Sequence, residues 1–227
     1  MATEISARDL LLISPELAMV GLAILIALLD LVVRERKGVL LPVGLIGLLV
    51  PTGLSFFLWS EIHSLPEGAE AAFFGTVLVD RFALFFKLLI VGVLGLLFLA
   101  SGGYAERFRQ YQGEFIALVI LSATGLMFMV AAADLITIYI SLELAALPAV
   151  ALVAFLKTET RSTEAGIKFL LLSGIGSAIL LYGFAFLYGG TGTVRLISLD
   201  STVPTIATMA GLGDASLPFG NIPLMLG

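Results

Sequence analysis

Glu143 lies inside an uninterrupted apolar stretch, residues 135–156, and Lys168 lies just inside the start of the next one. A charge at the centre of a membrane helix costs about 2.5–3.5 kcal/mol on insertion scales, so such a residue normally faces a partner or an internal water path. An acid and an ammonium on neighbouring segments can hold and pass a proton. Desolvation favours the neutral acid, an approaching cation favours the carboxylate, and the two titrations are coupled. These residue types point to ion handling.

Helical periodicity puts Tyr139 and Leu147 on the face of Glu143. Pro148 cannot donate to the carbonyl of Leu144, which leaves an acceptor beside Glu143 where water can bind. A second role also fits Glu143, that of a protonated, hydrogen-bonded carboxyl joining two helices. Lys168 follows Ser162, Thr163 and Glu164, which suit a helix start, and falls about 9 Å below that start at ~1.5 Å per residue. Glu143 falls about 18 Å below the corresponding end of its own helix. A flexible lysine stem or a bridging water must cover the difference, or else Lys168 snorkels to the headgroups.

Other residues rank below this pair. Lys87 and Asp30 lie within or near the ends of apolar stretches, and both snorkelling or capping and a place in the proton path remain open for them. Glu16 follows Pro15 and reads as a first-turn acid favoured by the helix dipole. Ser173, Gly174, Ser177 and Ala178 form small-xxx-small pairs, which implies helix packing. The run from Gly189 to Thr193 has no preceding strand and no lysine, so it reads as a flexible turn and not a phosphate loop.

Positioning these groups requires membrane helices. With 59% hydrophobic residues, 13% charged and a mean hydropathy of +1.11, the 227 residues have too little polar surface for a soluble globule. Residues 11–33, 39–59, 77–100, 115–133, 135–156 and 165–188 are each long enough to cross a ~30 Å hydrocarbon layer. The fold class is therefore an all-α polytopic bundle of six transmembrane helices, with apolar residues 222–226 expected to begin a seventh. Three regions follow: residues 1–113 with helices one to three, 114–188 with helices four to six, and 189–227 with an external loop and the last apolar run. The chain reads as cut off there.

Basic residues mark alternate connections, namely Arg34, Arg36 and Lys37, then Arg107 and Arg109, then Lys157 and Arg161. Those connections are expected on the cytoplasmic side, with the N-terminus outside. The absence of cysteine and the single histidine, His63, remove thiolate-held iron-sulfur clusters, the usual zinc sets and bis-histidine haem. The net charge of −5 argues against nucleic acid.

The stretch Ser141-Leu142-Glu143-Leu144 with Pro148, the run from Arg161 to Phe169, and Leu180-Leu181-Tyr182-Gly183 resemble subunit N of bacterial respiratory complex I, the proton-pumping NADH:quinone oxidoreductase. Val79-Asp80-Arg81-Phe82-Ala83 and Ser14-Pro15-Glu16 fit its third and first helices. The resemblance covers essentially the whole chain. It implies a membrane-arm subunit in the bacterial plasma membrane, with Glu143 and Lys168 in a water-linked proton route. It places NADH, flavin, iron-sulfur clusters and quinone on partner subunits and no cofactor on this chain. Members of the family have about twice as many helices, in two inverted repeats. Leu142 ahead of Glu143 favours the N-type subunit over the related cation/proton antiporters, which carry Trp-Glu or a close variant there. A stand-alone antiporter and a structural scaffold are the competing readings.

Overall fold

Long apolar runs become helices here because a lipid-embedded backbone must satisfy its own hydrogen bonds. The computed structural model describes residues 6–32, 39–65, 68–101, 111–156, 158–199 and 202–209. Six helical spans among them are long and apolar enough to cross a membrane. A short α1 (Ala7–Leu12) leads into α2 (Ser14–Val32), and the second span is interrupted at Leu48 into α3 (Leu40–Gly47) and α4 (Leu49–Ser64). Then come α5 (Arg81–Ala100), α6 (Gln112–Val130), α7 (Leu135–Val153) and α8 (Thr160–Thr191), followed by the short α9 (Ile206–Met209). The expected all-α membrane bundle is present. The seventh helix expected from residue 222, and the basic residues of 33–38 and 102–110 with Lys157, lie outside the described residues.

Several boundaries shift, and the second span runs to Ser64, five residues beyond its expected end. Residues 77–80, assigned above to the third span, form strand β2 (Val77–Asp80), paired antiparallel with β1 (Ala69–Ala72). The sixth helix starts at Thr160, five residues earlier than expected. It also absorbs Gly189, Gly190 and Thr191, ending only at Gly192, whose φ of 70° gives a left-handed cap. Two glycines and a threonine are poor helix formers, but the preceding turns supply the hydrogen bonds that carry the helix through them.

The β-hairpin organises one end of the bundle. Its turn holds Phe73, Phe74 and Gly75 at positive φ, and Arg195 donates to the Phe74 carbonyl at 2.6 Å. Gly75, at φ 80°, takes the left-handed backbone that glycine adopts without strain, with the Arg195 guanidinium packed close beside it. Arg8 grips Glu70 and Glu61 of the flanking elements, each with a contact of 2.7 Å. Leu78 donates to the Ala131 carbonyl and Ala133 to that of Thr76, tying the hairpin to the α6–α7 turn. In that turn Asp134 caps α7 through Thr137 and bridges to Arg195. Asp80 caps α5 through Ala83. Asp9 accepts from the Ser6 and Phe73 backbones, and these bonds hold its carboxyl below the usual aspartate range against a smaller opposing effect of burial.

Two apolar clusters fill the interior. One lies under the hairpin and includes Leu12, Ile13, Leu58, Ile62, Val77, Val79, Ala83, Leu84 and Ala131. The other runs through the bundle between α2, α3, α5 and α6, around Met19, Ile26, Val91, Phe98, Ile116 and Ile120. Half of the hydrophobic stretch of α6 is buried, against 11% for α7 and 6% for α8, so α6 is the axis and α8 the periphery.

Candidate functional site

Glu143 lies next to the midpoint of α7, half-buried, and its carboxylate accepts a short hydrogen bond from Ser177 Oγ of α8. Ser177 is itself buried, although α8 is mostly exposed. The small residues of α8 imply only packing from their spacing, yet the structure divides them. Gly174 and Ala178 face open space or are exposed, while Ser177 supplies a hydroxyl to the mid-membrane acid. No motif marks that serine; its sole signal is the helical depth it shares with Glu143.

Sequence reasoning joins Glu143 to Lys168, but the structure gives each a different partner. Lys168 Nζ lies 2.5 Å from Glu164 Oε1, one turn back on α8, with the two side chains 69% and 59% exposed. Nine residues separate Lys168 from Ser177, which is about 13.5 Å along the helix and half a revolution around it. Lys168 therefore sits on the face of α8 opposite the one that meets Glu143. It also lies deeper than expected, eight residues or about 12 Å below the actual helix start at Thr160.

Pro148 is buried and leaves α7 helical through Val153. Beside the carbonyl that it frees, Ser122 of α6 donates to the Ala145 carbonyl at 2.8 Å. The close contact there is made by Gly125, where a Cβ would fall 2.4 Å from the Ala145 nitrogen. The backbone of α6 thus presses directly on the turn that follows Glu143 and fixes where the carboxyl points. Ser122 and Gly125 are further positioning residues that sequence reasoning missed. Tyr139, one turn before Glu143, lines an apolar groove between α7 and α8 with Leu135, Leu181, Phe184 and Val194. Leu147, expected on the same face, is 57% exposed.

The remaining candidates also change character. Lys87 neither snorkels nor caps: it is fully buried, with Nζ 2.6 Å from Glu16 Oε1. Glu16 is likewise fully buried, so its partner on α5 accounts for its placement better than the helix dipole does. Asp30 is half-buried near the end of α2, with Gly113 of α6 pressed against its side chain. Among the described residues no cluster of three or more His, Cys, Asp or Glu could hold a metal ion.

Residues 132–226, which contain Glu143, Ser177 and Lys168, match the family described as NADH:quinone oxidoreductase/Mrp antiporter, TM. NADH-quinone oxidoreductase subunit N of Dehalococcoides mccartyi is 37% identical over 195 residues, 86% of this chain and 39% of that protein. The same-named subunit of Desulforamulus reducens is 39% identical over 223 residues, 92% of this chain and 45% of that protein. Over these residues the chain is similar to the membrane subunits of this family. It spans less than half the length of those relatives. A chain of respiratory complex I from Thermus thermophilus shares the fold with a TM-score of 0.64 at 24% identity, covering 94% of this chain and 42% of that one. A chain of the archaeal membrane-bound sulfane sulfur reductase does so with a TM-score of 0.67 at 24% identity, covering 97% and 42%. Its six spanning helices, together with this likeness, indicate a multi-pass membrane protein.

Proposed function

We propose that this chain belongs to a membrane-arm subunit of a proton-translocating NADH:quinone oxidoreductase, with Glu143 as the acid that takes up and releases the proton. The observation that carries the reading is Glu143 near the centre of a spanning helix, engaged by a hydroxyl and, among the described residues, by no counter-ion. A serine can donate to the carboxylate or turn to accept from the acid, so it serves both protonation states. Lys168 is a separate station on α8, held by Glu164 and connected to Glu143 through water.

The supporting relatives carry the subunit N name, and the hairpin end of the bundle is assigned to the outer side from the basic residues of the opposite connections. The membrane is the bacterial plasma membrane, and the partners are other membrane-arm subunits. The resemblance to complex I places NADH, flavin, iron-sulfur clusters and quinone on partner subunits, and a chain without cysteine offers no thiolates for such clusters. Energy reaches Glu143 through packed helices.

The test is Glu143→Gln in the full-length subunit within its assembled complex, in sealed vesicles. The rate of proton transfer through this subunit should fall at least about 10-fold, a barrier change of ~1.4 kcal/mol. Unchanged pumping in a fully assembled, electron-transferring complex would reduce the chain to a scaffold.

A further inference from the structure

Glu16 and Lys87 are the two ionisable side chains with no exposure at all among the described residues, and they meet at 2.6 Å between α2 and α5. The pair lies outside the segment matched by the family model and plays no part in the site around Glu143. Its surroundings are apolar in both directions. Before Glu16, Leu12 at the end of α1 and Ile13 beside it belong to the cluster beneath the hairpin, and after it Met19 of α2 belongs to the central cluster; on α5, Ala83 and Leu84 belong to the first and Val91 to the second. The ion pair occupies the junction between two dry plugs.

Beyond their mutual contact, neither oxygen of Glu16 nor the Lys87 nitrogen meets a hydrogen-bond partner among the described residues. Buried ion pairs stabilise folds poorly, because desolvation consumes most of the attraction unless further hydrogen bonds complete the site. Unmet polar atoms of this density are where internal water binds, at two to four hydrogen bonds per molecule. The cation is a lysine, which can give up its proton when buried, whereas an arginine could not.

We propose that Glu16 and Lys87 form a second proton-holding site of the membrane domain, a hydrated acid–base pair separate from Glu143. In the dry pair a proton moves from Lys87 Nζ to Glu16 Oε1: one N–H bond breaks, one O–H bond forms, and two opposite charges become two neutral groups. When water enters past the hairpin plug, it accepts the proton from the Glu16 carboxyl, leaving a carboxylate beside the neutral amine, and on reloading hydronium returns a proton to Lys87 Nζ. The site rests on the proton-translocating reading above and extends it to the first three spans.

The experiment uses the full-length subunit in its assembled complex, in sealed vesicles. Glu16→Gln/Lys87→Met removes both charges together, and Lys87→Arg keeps the charge while forbidding release of the proton. Both should assemble and transfer electrons, with protons moved per electron lowered at least about 2-fold. Wild-type pumping in either assembled variant would show a static pin and overturn the proposal. Failure of both variants to assemble would overturn it too, since the pair would then be a requirement of folding. Glu143→Gln measured in parallel separates the two readings: normal pumping there with impaired Glu16/Lys87 variants sinks the role of Glu143 alone.

Discussion

Ser177 decides what Glu143 can do. A mid-membrane carboxyl with no donor would pay the full cost of desolvation when charged, and one held by a fixed cation would not easily take a proton. A hydroxyl lies between these limits. Ser177→Ala removes one hydrogen bond worth about 0.5–1.5 kcal/mol, so proton uptake should drop roughly 2- to 12-fold in vesicles containing the assembled complex. Ser177→Thr keeps the hydroxyl and should restore most of the rate. Equal rates in Ser177→Ala and wild type would remove the serine from the proton path. Glu143 was legible because a charge in an apolar run stands out against its neighbours. Ser177 was not, because a serine among small residues is equally compatible with packing, and only the depth and rotation of α8 distinguish the two.

Helix positions set the site at the next scale. The backbone of α6 touches that of α7 at Gly125, directly beyond Glu143, and Ser122 anchors the same turn through the Ala145 carbonyl. Gly125→Ala must push α7 outward, because the new methyl meets backbone atoms that cannot rotate away. Overpacking of this kind costs about 1–3 kcal/mol. The variant should unfold at lower temperature than wild type and also lose proton uptake, whereas Gly92→Ala, which meets nothing within 4 Å, should change neither. Full uptake in Gly125→Ala would mean that α7 tolerates displacement. The existence of these helices was readable from apolar length alone, but their contacts were not. Almost every position is apolar, so the sequence carries little amphipathic signal to say which face turns inward. The hairpin was missed for a related reason: residues 77–80 are as apolar as the helix they precede, and their pairing with residues 69–72 is set by a turn whose two phenylalanines at positive φ break the usual turn chemistry.

Across the whole molecule, packing is concentrated around α6 and falls away toward α8. Apolar contact with lipid tails is nearly as favourable as apolar contact with protein, so stability between membrane helices comes from close packing and polar contacts instead of water exclusion. Buried and lipid-facing side chains of similar chemistry should therefore differ sharply. Phe98 is fully buried in the central cluster against Ile116 and Ile26, around the position of Gly44, whereas Leu172 on α8 is 69% exposed. Phe98→Ala opens a cavity where four helices meet, and the loss of dispersion contacts there should lower stability by about 3 kcal/mol, the low end of core values because lipid replaces water as the reference. Leu172→Ala should stay within about 0.5 kcal/mol of wild type. Reversible unfolding of the full-length subunit in mixed micelles measures both. A comparable loss for Leu172→Ala would mean that the outer face of α8 is packed against protein in the intact subunit, and that the site between α7 and α8 is closed by elements which the described residues do not include.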